Sequence, residues 1–498
     1  MKIHIRHTRL ATRLALLLTF SFSALQLFSP SSHAATITIP AGADQSAIQA
    51  AITGAAAGDT IQFTPGATYT LTQTLTLKDN ITLDGNGCTW DATAQPNILR
   101  LVNAATLQNV TIKNATARNI MLRFWVNGAT FTNITNVTVT AISFQDGKSE
   151  SAPDAAQIDS RYIQIKAAGV TIAGCQFLRA SATPGKAIQL YCAQNTTITG
   201  CLFGATRADG ADSDTHGWFK TAINITADSK LGNPVLNTLI TASKIHRAAA
   251  MDDAPANCDH GIYAHHFDNL EISGNTISGW PPSSAGGAIK IRNAQNFKVR
   301  DNHLLRSGIL LYTYKDTRSQ WLKNGLITDN TIKIDPWTGA TDIYHGIGYW
   351  RNVGTPADPA EYSIRIAGNT LENGLISIKT DPLNVTSWNA SNGGVFDNNV
   401  TGGSIQLKDG IAQSGNIILP ALTPAPDALA PTNESDPELP ARSLFLTNVT
   451  HHFLGTRASL PAKHHAPAWC LPKTHRGQRC PRPRKRPSRC LHPAAGFK

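Results

Sequence analysis

A chain of 498 residues with a formal charge of +11 invites a reading as a polyanion binder, but the charge is unevenly placed. Twelve Lys and Arg and no Asp or Glu fall between Arg442 and Lys498, so setting that segment aside takes the net charge from +11 to −1. A near-neutral body argues against nucleic-acid or membrane-surface binding through bulk charge, and eight cysteines without a CxxC pair argue against a cysteine metal motif.

Lys2, Arg6, Arg9 and Arg13 make a basic start, an apolar run follows over 14–28, and Ser32-His33-Ala34 fits a small-x-small cleavage site. Residues 1–34 therefore read as a signal peptide, too short in its apolar core to span a bilayer. The expected destination is secreted or periplasmic, where disulfides are permitted. Next comes a β-like stretch, Thr36–Ile39, and a helical pattern over 44–52. A short helix here is expected to cap the open end of a stack of strands. Strand-like segments over 58–63 and 81–87 follow.

Further along the chain repeats itself, which decides the fold class. Alternating apolar residues, then Gly or a polar residue, then usually Asn, recur as 170–175, 197–201, 270–275, 297–302, 326–330, 364–369 and 395–398. Period-two alternation means strand, and Asn suits a repeated turn because it tolerates left-handed backbone and bonds to its stacked copy. A second strand precedes each phrase and aligns on Ile163, Ile188, Ile223, Ile262, Ile289, Ile309, Ile347, Ile376 and Ile405. The offset from Ile262 to Asn275 and from Ile289 to Asn302 is 13 residues in both cases, while the step between anchors varies. Constant coils with variable loops, and no helical pattern between them, predict an all-β fold: a single-stranded right-handed parallel β-helix of three sheets over 35–418. Prolines at 420, 424, 426, 431, 437 and 440 mark 419–441 as a linker, and the basic segment 442–498 has no pattern that could fold.

If each anchor points inward, the residues one and three later point outward. Read down the stack, these are Gln164 and Lys166, Gln189 and Tyr191, Asn224 and Thr226, Tyr263 and His265, and Lys290 and Arg292. Leu310 and Tyr312, Gly348 and Trp350, Ser377 and Lys379, and Gln406 and Lys408 complete the columns. With coils about 4.8 Å apart, Tyr263, His265, Lys290, Arg292 and Tyr312 form one patch about 10 Å tall. It combines proton carriers with fixed positive charge and holds no carboxylate.

That set suits β-elimination from a 4-linked uronate. The C6 carboxylate must be neutralised, a base must take the C5 proton and an acid must protonate the departing O4. Tyr263 and Lys290 are the candidate proton carriers, since cationic neighbours favour deprotonation. Arg292 could grip the carboxylate bidentately, and His265 could help to neutralise it or relay a proton. Asn224, Tyr191, Tyr312, Tyr314, Trp350 and Lys379 are candidate substrate-binding residues flanking the patch.

The ladder and cap resemble the pectate-lyase-like superfamily of right-handed β-helices over roughly 35–418. Tyr263 one coil before Lys290, with the segment Gly287-Ala288-Ile289-Lys290-Ile291-Arg292-Asn293, resembles the family thirty-one polysaccharide lyases. The resemblance implies endolytic β-elimination on mannuronate-rich alginate. The sequence departs from neighbouring families. It lacks the Asp-Asp pair and Gly-His-Gly of polygalacturonases and the clustered aspartates of calcium-dependent pectate lyases. It also lacks the Lys-then-Arg arrangement of chondroitinase-B-like lyases, because Leu310 and Tyr312 follow Lys290. Nothing in the sequence requires a cofactor, and calcium is left open.

The expectation is a monomeric secreted polysaccharide lyase whose partner is an acidic polysaccharide, with neither nucleic acid nor membrane bound. A uronate C5-epimerase and a non-catalytic carbohydrate-binding β-helix are the alternatives, and a glycoside hydrolase comes last for want of paired carboxylates. Cys175 and Cys201 share one phrase position in successive coils and form a candidate disulfide.

Overall fold

The computed structural model describes residues 34–101, 106–125, 133–148, 161–178, 185–204, 219, 221–227, 234–246, 260–280, 287–314, 322–334, 346–352, 361–378 and 393–421. The signal-like segment before residue 34, Lys379, most of the proline-rich linker and the basic tail lie outside the described residues.

Alternation at period two produces short parallel strands, and stacking them produces a parallel β-helix. One ladder has eleven strands, from Leu99–Leu101 to Ser404–Leu407. All nine anchor isoleucines align in it: each from Ile188 to Ile405 pairs with the anchor of the coil before it, and Ile163 pairs with Leu122. Eight of the nine are fully buried, and Ile405, near the C-terminal end, is half-buried. Each buried isoleucine contributes roughly 1.5–3 kcal/mol. The ladder extends two coils further toward the N-terminus than the isoleucines reveal, through Leu122 and Leu101.

The other two faces correspond to the repeated phrase. Strands such as Ala168–Ala173 and Phe267–Ser273 form one, and the shorter Gln176–Phe177 and Thr276–Ser278 form the next. The expected three separate sheets are not what forms. These two faces join into one 24-stranded sheet, because Thr82–Asp91, Leu107–Arg118 and Ile134–Gln145 each run through the bend as one strand and pair on both sides of it, with a register shift between Asp84 and Cys88. In later coils a residue at positive φ, Gly174, Gly200, Gly274, Asp301 or Gly368, ends the strand at that bend.

Just past the bend a buried asparagine ladder ties coil to coil. In Asn275, Asn302, Asn330, Asn369 and Asn398, both the backbone N–H and Nδ2 donate to Oδ1 of the asparagine one coil on. The distances are 3.0–3.1 Å and 2.9–3.0 Å respectively. Toward the N-terminus Cys175, Cys201 and Ser243 take the same column: the Cys201 N–H donates to Ser243 Oγ at 3.1 Å, and the Ser243 N–H to Asn275 Oδ1 at 3.0 Å. The candidate disulfide is not formed. Cys175 and Cys201 are buried free thiols aimed at backbone carbonyls, Val139 and Ala173 for one, Ile172 and Thr199 for the other. In the core beside them Phe144, Phe177 and Phe203 stack at centroid distances of 5.1 and 4.7 Å.

The N-terminal helix, Gln45–Gly54, starts where Asp44 accepts a hydrogen bond from the Ala47 N–H at 2.8 Å, and it buries Ile48 and Ile52. Asp59 closes the loop behind it. Its carboxylate accepts from the Ala35 N–H at 2.8 Å and the Ala56 N–H at 2.7 Å, and these bonds hold its carboxyl below the usual aspartate range. No helix among the described residues is long and apolar enough to cross a membrane.

Candidate functional site

The register of the eleven-stranded ladder builds the site. His260–His265, Gly287–Arg292, Ile309–Tyr314 and Gly346–Asn352 are consecutive neighbours. Tyr263 pairs with Lys290 and His265 with Arg292, while Arg292 pairs with Tyr312 and Tyr312 with Trp350. Between them Ile262, Ala264, Ile289, Ile291, Ile309 and Leu311 point into the core, so the functional side chains share one outward face.

Arg292 Nη1 donates to the Tyr263 hydroxyl at 2.9 Å. The Arg292 guanidinium also lies over the Tyr314 ring at 4.6 Å and over the Tyr312 ring at 5.8 Å. Lys290 Nζ sits 5.5 Å from the Tyr263 ring centroid and 4.8 Å from that of Tyr312. The phenol of Tyr263 is thus touched by one fixed cation and faced by another. With Nη1 on the phenol, the expected bidentate grip on a uronate would have to use the Nε–Nη2 edge, and Nε is buried. The contact fixes the Tyr263 hydroxyl against Arg292.

His265 stacks on Tyr263, with ring centroids 5.0 Å apart and planes at 29°. Its Nδ1 is 2.5 Å from Nδ1 of His266, so one ring donates there and the other accepts. His266, nearly buried and at a φ of 56°, was not singled out from the sequence. Tyr314 is held by a reciprocal clamp: its N–H donates to Asn293 Oδ1 and Asn293 Nδ2 donates to its carbonyl, both at 2.8 Å. Tyr312 packs on Trp350 at a ring distance of 5.1 Å, which extends the aromatic lining one coil further.

The face is less open than alternation predicts. Lys290 is 8 % exposed, Tyr312 7 % and Asn224 6 %, whereas Tyr263, His265 and Arg292 are intermediate and Tyr314 is exposed. Asn224 pairs in register with Tyr263 and belongs to the patch. Tyr191 does not. It stacks on Trp125, centroids 5.1 Å apart and planes at 19°, in a separate cluster nearer the N-terminus. That cluster also holds Arg123 and Lys166, with cations 5.2 and 5.4 Å from the Trp125 ring. Arg123 and Trp125 were missed because their strand, Ile120–Trp125, is anchored on Leu122 and not on an isoleucine. The signal was there, in the alternation of Ile120, Leu122 and Phe124 with Met121, Arg123 and Trp125.

A hollow of about 380 Å³ lies elsewhere, where the two joined faces bend, lined by Gly87, Asn114, Thr116, Ser143 and Gln176 among others. Its lining contains no titratable side chain. Among the described residues no three His, Cys, Asp or Glu side chains converge as a metal cluster would require.

No family model matches the chain, and no curated protein matches it. Among solved structures, it is similar to PfbA, a surface adhesin of Streptococcus pneumoniae, at 13 % identity over 78 % of this chain and 92 % of that one, with a TM-score of 0.43. It is similar to the alginate lyase AlyF-OU02, solved with G6, at 13 % identity over 78 % of this chain and 85 % of that one, TM-score 0.41. A family 28 exopolygalacturonase of Yersinia enterocolitica shows 12 % identity over 78 % of this chain and 79 % of that one, TM-score 0.44. These likenesses are of fold alone.

Proposed function

We propose that this chain is an exported polysaccharide lyase that cleaves a uronate-containing polymer by β-elimination, with mannuronate-rich alginate as the preferred substrate. The observation that carries the reading is the Tyr263 hydroxyl held 2.9 Å from Arg292 Nη1 with the Lys290 ammonium facing the same ring. A guanidinium that donates to a phenol oxygen stabilises negative charge on that oxygen. A phenolate so placed can take the C5 proton. The electron pair released forms the C4–C5 double bond, the C4–O4 bond breaks, and O4 takes a proton. In mannuronate the C5 proton and O4 lie on the same face, so Lys290 or the reprotonated Tyr263 can supply that proton from the same side. The carboxylate needs neutralising charge as C5 becomes acidic, and Lys290, Arg292 Nη2, His265 Nε2 and the Asn224 amide are the groups available to it.

Incubation of the protein with poly-mannuronate, poly-guluronate, pectate and glycosaminoglycans tests the proposal. A lyase produces the ultraviolet absorbance of an unsaturated uronate on at least one of them. Epimerised polymer without new absorbance identifies the C5-epimerase, which shares the proton abstraction but keeps the C4–O4 bond. Binding without either product identifies a glycan-binding module.

A further inference from the structure

Two to four coils before Tyr263, the outward face of the same ladder carries a second cluster. In the residue column that contains Tyr263, the sequence reads Arg123, Gln164, Gln189, Asn224, Tyr263, Lys290. In the column that contains Arg292, strand after strand, it reads Trp125, Lys166, Tyr191, Thr226, His265, Arg292, Tyr312, Trp350. Neither run contains an Asp or Glu. Four fixed cations therefore share one strip with aromatic rings: Arg123 and Lys166 toward the N-terminus, and Lys290 and Arg292 in the patch.

The N-terminal group is built, not incidental. Trp125 and Tyr191 lie two coils apart in the stack yet lean together to 5.1 Å between ring centroids, bridging the Lys166 coil. Lys166 lies beneath them, 4 % exposed, with Nζ 5.4 Å from the Trp125 centroid and 6.0 Å from that of Tyr191. Arg123 sits against the Trp125 ring at 5.2 Å. Beside this the Gln164 and Gln189 amides, each 6 % exposed, form a polar floor and bond to each other at 3.3 Å. Half-exposed aromatic rings backed by ammonium and guanidinium charge, over amides, suit a sugar ring that carries a carboxylate: the apolar sugar face packs on the rings and the cations balance the charge.

We propose that Arg123, Trp125, Lys166 and Tyr191 form a second, anchoring site for the acidic polysaccharide, which then lies along the helix axis with one stretch on the anchor and another on the Tyr263 patch. This rests on the reading of the strip as a uronate groove and adds where the remote part of the chain is held. Four coil steps separate Lys166 from Arg292, about 19 Å at the usual strand spacing. A short oligomer on the Tyr263 patch does not extend to Lys166 and Trp125, and long ones engage both clusters. The second contact is then made within an already bound chain and raises affinity as a tethered interaction does.

The test measures dissociation constants of oligomannuronate trimers and dodecamers for a Tyr263→Phe protein, in which slow turnover preserves the ligand, with and without Trp125→Ala or Arg123→Gln. The expected result is that either added change weakens dodecamer binding roughly 10-fold while trimer binding and the melting temperature stay close to those of the Tyr263→Phe protein. Dodecamer affinity unchanged in both variants overturns the anchor and leaves the lyase reading standing. Loss of trimer and dodecamer binding together, at an unchanged melting temperature, also overturns it, because the anchor is then not separate from the patch. Absence of binding to oligomannuronate, oligogalacturonate and glycosaminoglycan oligomers alike removes the acidic-glycan reading, and the anchor with it.

Discussion

Arg292 donates a 2.9 Å hydrogen bond to the hydroxyl of Tyr263, which lies one coil earlier in the ladder. Two residues 29 positions apart in sequence are joined because their strands stack in register, His265 beside Arg292 and Tyr263 beside Lys290. The bond gives Arg292→Lys a definite expectation. Lysine keeps the charge but loses the fork that reaches the phenol while stacking on Tyr314. Turnover on the cleaved polymer should fall roughly 10- to 100-fold, mainly in kcat, and steady-state kinetics at several substrate concentrations reads the split.

Lys290→Ala should cost both activity and stability. The side chain is 8 % exposed and packs against the rings of Tyr263 and Tyr312, so removing it leaves space between them as well as deleting a charge. Lys290→Met keeps most of the packing and separates the two effects. Melting temperature near that of the parent with turnover still lost is the expected outcome for Lys290→Met.

The buried asparagine ladder should be far more sensitive than an asparagine pair at the exposed surface. Asn330 Nδ2 donates to the carbonyls of Val299 and Thr328 and to Asn369 Oδ1, and its own Oδ1 accepts from Asn302. Asn330→Ala strands several buried groups and should destabilise by roughly 2–4 kcal/mol. Asn324, whose Nδ2 bonds Asn296 at the exposed surface, should cost roughly 1 kcal/mol or less when replaced by alanine. Chemical denaturation of the two variants reads the contrast.

The two free cysteines of the ladder suggest a stabilising change. Cys201 Sγ faces the carbonyls of Ile172 and Thr199, as Asn302 Nδ2 faces those of Ile272 and Arg300. Cys201→Asn extends the asparagine ladder toward the N-terminus and should raise the melting temperature, whereas Cys201→Leu adds volume without partners and should lower it. Thermal denaturation in reductant checks both.

Asp59 gives the N-terminal cap a pH dependence. Its folded carboxyl is held below the usual aspartate range by the Ala35 and Ala56 N–H groups. The stabilisation is therefore complete above the unfolded value and is lost as pH falls through the lower folded one. Asp59→Asn should lower the melting temperature at pH 7, and the difference from the parent should close in strong acid. A difference of constant size across that range contradicts the assignment.

The sequence carried most of the fold, because a stack of coils writes its register into one recurring residue. Nine isoleucines were enough to place every strand of the site, and all nine align. Three features were not legible. The Arg123 and Trp125 strand hid behind a leucine anchor. The merging of two faces depends on hydrogen bonds through a bend, which alternation does not report. The burial of Lys290 depends on the rings of Tyr263 and Tyr312 from the coils on either side, whereas alternation says only which way a Cβ starts. For the same reason the hydrogen bond from Arg292 to the Tyr263 hydroxyl was not foreseen.

The central claim is that Tyr263 carries the proton transfer in a β-elimination, and its most direct test is the initial rate of unsaturated-uronate absorbance for the parent and for Tyr263→Phe. The substitution keeps the ring against Lys290 and His265 and deletes only the hydroxyl that Arg292 holds. The parent should generate this absorbance on at least one acidic polymer, and Tyr263→Phe should lose roughly 10²- to 10⁴-fold in turnover at an unchanged melting temperature. A Tyr263→Phe rate close to that of the parent on every polymer the parent cleaves would contradict it.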